Sequence, residues 1–137
     1  MLVGGGRTFA KKARDFSTKL PRKVIQMGMR VVLSAKVKED GLGIVDSLEV
    51  PSGKTRELER RINELGWQKT LFVTGLERVP PSLERSSRIL DYIHATTASS
   101  LNIHEAIKWQ RLVLDFSAVE FFERTLRKPD YDALAGL

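Results

Sequence analysis

Short apolar runs alternate with amphipathic segments throughout residues 43–127, and this alternation restricts the chain to few fold classes. KTLFVTG, at residues 69–75, has the apolar and β-branched content of a buried strand and is too short for a buried helix. GIVDSLEV, DYIHAT and RLVLDF are predicted to form three further strands. Strands that alternate with helices favour right-handed crossovers. We therefore expect an α/β fold with a three-layer, mostly parallel sheet of about four strands and helices on both faces.

The segments between the predicted strands carry helix signals. SGKTRELERRINELG places Leu58, Ile62 and Leu65 at helical spacing on one inward face. It ends at Gly66, a residue type that commonly stops a helix. VPPSLERSSRIL predicts a turn followed by a short helix.

Capping pairs predict where the last two helices begin. Asn102 with Glu105 forms a capping box that predicts a helix over residues 103–110. Ser117, with an acidic residue three positions later, predicts the cap of a helix over residues 118–127. Both pairs place a helix on either side of the strand RLVLDF, as the alternation requires.

Residues 22–39 form a predicted helix that begins at Pro21, because proline suits a first helical turn. Its apolar residues cover most of the circumference, which predicts a largely buried helix. These residues are Val24, Ile25, Met29, Val31, Val32, Leu33 and Val37. The polar residues recur every four positions on one narrow face, namely Arg22, Gln26, Arg30, Ser34 and Lys38.

Basic residues are concentrated in the first 40 positions. This region holds ten lysines and arginines against three acids, a balance of +7, whereas the rest of the chain carries −1 and the whole chain +6. A basic end on a nearly neutral body is typical of a protein that contacts a polyanion, because Lys and Arg neutralise phosphates and release counterions. Charge alone leaves a solubilising basic tail open as the alternative.

Residues 4–20 have neither a helical nor a strand period and are predicted to form a basic extended arm. Phe9 and Phe16 lie among the cations of this arm. The arrangement suits folded RNA, because bases stack on aromatic rings while cations contact phosphates. If about seven cations contact phosphates, the logarithm of the binding constant falls against the logarithm of salt concentration with a slope of about −5 to −6.

PSGKT, at residues 51–55, lies between a predicted strand and a predicted helix, where a phosphate-binding loop belongs. A Walker A loop requires a glycine five positions before Gly53, and this chain has Leu48 there. Pro51 also removes one amide donor. The spacing favours an ordinary turn, and a nucleotide-binding α/β domain or enzyme that uses the turn is the alternative function.

The sequence offers little for other chemistry. The chain has no cysteine, which excludes disulfides and thiolate zinc sites, and His94 and His104 lack metal-binding spacing. No serine lies in a Gly-x-Ser-x-Gly elbow. No apolar run approaches the ~20 residues of a membrane-spanning helix. We therefore expect no metal, cofactor, small-molecule substrate or membrane partner.

Residues 4–34, GGGRTFAKKARDFSTKLPRKVIQMGMRVVLS, resemble the segment that follows the long internal loop in the family of the universal large-subunit ribosomal protein L4. The family runs Gly-Gly, a Phe, Arg-Asp-Tyr/Phe and Lys-Leu-Pro-Lys-Lys into a helix that ends in Leu-Ser. The positions that match it are Gly5, Gly6, Phe9, Arg14, Asp15, Phe16, Lys19, Leu20, Pro21, Lys23, Leu33 and Ser34. The similarity continues through KTLFVTG, SRILDYIHAT and LNIHEAIKWQRLVLDFSAVEFFERTL, and so covers nearly the whole chain.

The resemblance implies a structural, non-enzymatic constituent of the large ribosomal subunit. Such a protein binds ribosomal RNA, contacts neighbouring large-subunit proteins and supports subunit assembly and translation. The resemblance implies no cofactor. The candidate RNA-binding residues are Arg7, Lys11, Lys12, Arg14, Lys19, Arg22, Lys23 and Arg30.

The family begins with a further strand and a Gly/Arg/Lys-rich loop that lines the exit tunnel, and both precede the part that this chain resembles. The chain is therefore expected to correspond to the family's carboxy-terminal part, so the tunnel role does not carry over. A sheet without that strand leaves an unpaired edge, which a partner protein can complete.

Two further expectations concern location and organisation. NIHEAIKWQRLVLDFSAVEFFE is more similar to mitochondrial than to bacterial members, which predicts the mitochondrial matrix, with the bacterial cytoplasm as the alternative. We predict a basic extended RNA-binding arm over residues 1–21, an α/β globular domain over residues 22–127 and a flexible tail over residues 128–137.

Overall fold

The computed structural model describes residues 3–127, so the predicted tail lies outside the described residues. The helices and strands occur in the predicted alternation. In chain order they are α1 (Arg22–Lys38), β1 (Leu42–Val45), α2 (Thr55–Glu64), β2 (Thr70–Thr74), α3 (Pro81–Ser87), β3 (Ile93–Thr97), α4 (Ile103–Lys108), β4 (Arg111–Asp115) and α5 (Phe116–Leu126).

The four strands form one parallel sheet in the order β1-β4-β2-β3. The prediction of an α/β fold with about four strands is confirmed, and the sheet is entirely rather than mostly parallel. β2 pairs with a strand on each side and all five of its residues are buried, as its continuous apolar run predicts. β1 and β3 form the two edges.

Helices cover both faces of the sheet, because successive side chains of a strand point in opposite directions. Leu71 and Val73 belong to one core with residues of α1, α4 and α5. Phe72, which lies between them, belongs to the other core with Leu58 and Leu83 of α2 and α3. The three-layer prediction is therefore confirmed.

Several predicted boundaries differ from the structure. The strand predicted over residues 43–50 ends at Val45, after which the chain leaves the sheet and buries Leu48 in the core beneath α2 and α3. The helix predicted over residues 103–110 ends at Lys108. Leu65, predicted to face inward, is exposed because it follows the last residue of α2.

One predicted cap is confirmed and one is wrong. Asn102 caps α4, since its side-chain oxygen accepts a 2.7 Å hydrogen bond from the Glu105 amide. Asp115, not Ser117, caps α5, because its carboxylate accepts a 2.6 Å hydrogen bond from the Ala118 amide. The helix therefore begins two residues earlier than Ser117 implies.

The prediction that α1 is largely buried is wrong. Met29, Val32 and Lys36 are its buried residues, whereas Met27 and Val31 are 55% and 63% exposed. Among the described elements, α4, α5 and β1 contact α1 on the side that carries its buried residues, and Met27 and Val31 lie on the other side. Burial of a helix depends on how many neighbours surround it, which its own periodicity does not specify.

One cation of the basic region, Lys36, is buried in the interior. Its ammonium group donates a 2.7 Å hydrogen bond to the carbonyl of Trp109, the residue directly after α4, and lies 3.8 Å from the Glu39 carboxylate. A cation at a helix carboxyl end is favourable because carbonyl dipoles converge there. Lys36 therefore joins α1 to α4.

Candidate nucleic-acid interface

The basic segment before α1 lies on the surface. Residues 3–20 contain no helix or strand, and every one of them is exposed. Phe9 and Phe16 are 97% and 77% exposed, so neither aromatic ring is used in a core. The backbone turns through positive φ at Gly4 (101°) and Gly5 (79°), a conformation that glycine adopts readily. The aromatic rings and cations of this segment are accessible to a ligand.

A local turn brings a cation and a ring together in the middle of this segment. The Asp15 carboxylate accepts hydrogen bonds from the Ser17 amide (2.9 Å) and hydroxyl (2.7 Å), and these bonds lower the pKa of Asp15 below its usual 3.8. The Arg14 guanidinium carbon lies 4.5 Å from the centre of the Phe16 ring. A guanidinium stacked on an aromatic ring presents a flat surface for a base and donors for phosphate.

An open groove follows the same segment. It is lined by residues that combine rings with positive charge: Phe9, Ala10, Lys11, Lys12, Arg14 and Phe16. An RNA strand carries negative charge along its backbone and stacking surfaces on its bases, so the groove matches both features. The remaining predicted cations of the segment, Arg7 and Lys19, are also exposed.

The start of α1 continues this basic surface. Pro21 precedes the helix without a side-chain cap, and the first turn contains no acidic residue. Arg22 and Lys23 occupy that turn and are exposed. Cations at a helix amino end are unfavourable in isolation, because the amide dipoles there already give positive potential. The positive charge of the basic segment therefore adds to the positive potential at the amino end of α1.

Arg30 is placed differently from the other predicted cations. It is half-buried, and its guanidinium donates a 2.9 Å hydrogen bond to the carbonyl of Leu126 at the end of α5. Gln26 donates a 3.0 Å hydrogen bond to the neighbouring Thr125 carbonyl. Gln26 and Arg30 of α1 therefore hold the carboxyl end of α5, and Arg30 also contributes positive charge to this surface.

Two amide donors of the PSGKT turn are already engaged. The amide of Gly53 donates to the Val50 carbonyl at 3.0 Å, and the amide of Lys54 donates to the Ser52 hydroxyl at 3.3 Å. The Ser52 hydroxyl also donates to the Glu57 carboxylate, which places negative charge beside the turn. The geometry is that of a turn before a helix, as the spacing favoured, and it gives the nucleotide-binding alternative no cradle.

Asp115 is a buried polar residue that sequence reasoning assigned no role. It lies at the carboxyl end of β4, where α/β sheets commonly bind ligands. Burial acts to raise its pKa, but hydrogen bonds from Thr74, Ser117, Ala118 and Gly75 lower it below the usual 3.8. The protein's own donors occupy this carboxylate. The sequence does contain a signal for this role: Asp115 lies between a predicted apolar strand and a predicted helix, and Asp is a preferred N-cap residue.

His94 contacts an aromatic ring and a carboxylate of the protein itself. The His94 ring stacks on Trp109 with centroids 6.0 Å apart, and its Nδ1 lies 3.9 Å from the Glu105 carboxylate. Within residues 3–127, no group of three acidic or histidine side chains is arranged to hold a metal ion. The helices of this described part include none with the length and apolarity to cross a membrane.

Comparison with known proteins connects this geometry to one family. The family described as ribosomal protein L4/L1 matches residues 1–125. The chain is 33% identical over 123 residues to a protein named large ribosomal subunit protein uL4 from Rhizorhabdus wittichii, and 35% identical over 123 residues to the protein of that name from Halorhodospira halophila. Each alignment covers 90% of this chain and 59% of the relative. The chain therefore spans about three-fifths of the length of these relatives.

Proposed function

Since the chain belongs to the ribosomal protein L4/L1 family, we propose that it is a non-enzymatic structural component of the large ribosomal subunit that binds ribosomal RNA. In this role it supports subunit assembly and translation and contacts neighbouring large-subunit proteins. The observation that carries the proposal is the exposed basic segment before α1, in which cations and aromatic rings line one open groove.

The proposal assigns different tasks to different parts of the chain. Residues 1–21 act as the RNA-binding arm, and residues 22–127 form the globular domain that holds it. Arg22 and Lys23 extend the contact onto the first turn of α1, and Arg30 adds charge further along that helix while bonded to the end of α5. The remaining contacts come from Arg7, Lys11, Lys12, Arg14 and Lys19.

Salt dependence of RNA binding tests the proposal, because each phosphate contact releases counterions. Binding of the full chain to large-subunit ribosomal RNA is measured between about 50 and 200 mM salt. With about seven contacts, the slope of log K against log salt is expected to lie near −5 to −6. An unrelated RNA of equal length shows how much of the binding is non-specific.

Two variants of equal charge separate the arm from the rest of the surface. The arm variant combines Lys11→Ala, Lys12→Ala, Arg14→Ala and Lys19→Ala. The control variant changes four exposed cations of α2, α3 and the residue after α3: Arg56→Ala, Arg60→Ala, Arg85→Ala and Arg88→Ala. The arm variant is expected to reduce the steepness of the slope by about 3, and the control is expected to leave it unchanged. Equal slopes in the two variants would contradict the proposal.

For the compartment, we propose the mitochondrial ribosome, on the similarity of residues 102–123 to mitochondrial members. The relatives compared are bacterial, and a bacterial cytoplasmic ribosome is the alternative. Fractionation of source cells decides between them: the protein is expected to co-sediment with mitochondrial large subunits. Co-sedimentation with bacterial cytoplasmic subunits would establish the alternative.

A further inference from the structure

The outward side of α1 carries a regular row of residues, which we call the α1 seam: Val24, Met27, Val31, Ser34 and Lys38. Successive members are three or four positions apart, the spacing of a heptad seam in helix pairs. The first three are apolar and are 43%, 55% and 63% exposed. Since α4, α5 and β1 contact the opposite side of α1, no helix or strand within residues 3–127 covers the seam.

Positive charge lies along one border of the seam. An open groove on this side is lined by Met27, Arg30, Val31, Ser34, Ala35 and Lys38. Lys23 and Arg30 directly precede Val24 and Val31, at the positions that flank the seam of a helix pair and determine its partner through ion pairs. Scattered exposed apolar residues are common on proteins, but a heptad row in a groove is the shape that another helix fills.

We propose that the α1 seam docks an amphipathic helix of a partner protein whose apolar stripe is bordered by Asp and Glu. The apolar residues fit a helix face, while Lys23 and Arg30 beside the seam and Lys38 at its end select acidic flanks. A second copy of this chain would bring cations against cations. RNA would neutralise the cations but leave Met27 and Val31 without an apolar partner.

A designed peptide tests the inference independently of the ribosomal assignment. The probe is a fluorescent three-heptad peptide with leucine at both seam positions and glutamate at the flanking positions. Its affinity for the full chain is measured by anisotropy and compared with that of a scrambled peptide of identical composition. The amphipathic peptide is expected to bind about tenfold more tightly than the scrambled one. Equal binding of the two peptides would show attraction by charge alone and would overturn the inference.

Matched variants locate the binding. Met27→Ser with Val31→Ser removes exposed side chains from the seam and is expected to weaken peptide binding about tenfold. Leu76→Ser with Ile89→Ser removes two exposed apolar residues elsewhere and is expected to have no effect. Circular dichroism checks that each variant is folded. If the seam variant misfolds, Ser34→Glu with Lys38→Glu serves instead, with the same expected loss.

Three results would refute the proposed occupant. Unchanged peptide binding by the seam variant would place the site elsewhere. A wild-type dimer in sedimentation that the seam variant abolishes would identify a second copy. Loss of ribosomal RNA binding in the seam variant, equal to its loss of peptide binding, would assign the face to RNA.

Discussion

Replacing Asp115 by alanine is expected to destabilise the domain strongly. The carboxylate joins three elements: it accepts hydrogen bonds from the Thr74 hydroxyl (2.6 Å) and the Gly75 amide (3.0 Å) at the end of β2. It also accepts hydrogen bonds from the Ser117 hydroxyl (2.8 Å) and the Ala118 amide (2.6 Å) in the first turn of α5. Asp115→Ala removes all four acceptor contacts at once.

The size of the effect follows from the donors that lose their partner. A buried donor without an acceptor costs about 1–3 kcal/mol, and loss of an N-cap about 1 kcal/mol. The Ser117 hydroxyl is only partly buried and can turn to water, whereas the two amides are fixed by the backbone. We expect a loss of about 4 kcal/mol in the free energy of unfolding, a large share of the 5–15 kcal/mol typical of a domain.

The pH dependence gives a second measure of the same contacts. The pKa of Asp115 in the folded state lies below 3.8, so its contribution is present above about pH 4 and is lost as the pH falls through the folded-state pKa. Asp115→Asn keeps one oxygen acceptor but loses the charge. The difference in unfolding free energy between Asp115→Asn and wild type is therefore expected to be constant near neutral pH and to shrink as the pH falls below about 4.

Urea unfolding monitored by circular dichroism measures these differences. Asp46→Asn is the matched control, because Asp46 follows the neighbouring strand β1 but is exposed. It is expected to change the unfolding free energy by less than about 0.5 kcal/mol. An Asp115→Ala loss under 1 kcal/mol, or an Asp115→Asn difference that persists unchanged in acid, would refute the argument that the carboxylate holds these elements together.

Two further changes test the packing around the sheet. Gly75→Ala places a Cβ within 2.2–2.5 Å of backbone atoms at the start of α5, so it is expected to cost at least about 3 kcal/mol of unfolding free energy in urea titrations. Gly43→Ala is the control, because its Cβ meets only a side chain at 3.5 Å, and it is expected to cost less than about 1 kcal/mol. Lys36→Met removes the donor to the Trp109 carbonyl and is expected to cost about 2 kcal/mol of unfolding free energy, with no change in the salt slope of RNA binding. Lys38→Met, the exposed control, is expected to leave stability unchanged. A flatter salt slope for Lys36→Met would show that this buried lysine reaches RNA.

The sheet was predictable because strand signals act locally. Leu71, Phe72 and Val73 form an apolar run short enough for one buried strand, and the helical periods on either side leave little choice of fold class. The start of α4 was predictable for the same reason, since Asn102 and Glu105 are neighbours along the chain. The start of α5 was not, because the sequence offers both Asp115 and Ser117 as caps and tertiary contacts favour the residue that also bonds to β2.

In the candidate interface too, some features were predictable from the sequence and others were not. Charge and the absence of periodicity predicted that the segment before α1 is basic and not packed in a core, because both can be read directly from the order of its residues. The stacking of Arg14 on Phe16 and the hydrogen bond from Arg30 to the end of α5 are visible only in the three-dimensional structure. A sequence gives the sign of a side chain's charge but not which backbone carbonyl lies within its reach.

By itself, the amino-acid sequence determined the α/β class, the order of the elements and the position of the basic segment, because periodicity, turns and charge depend on residues that are close together in the chain. The tertiary structure alone decided which side of α1 is buried, where Lys36 places its charge and how Asp115 joins β2 to α5. These outcomes depend on elements far apart in the chain, and pairing across such distances is fixed only when the whole core packs.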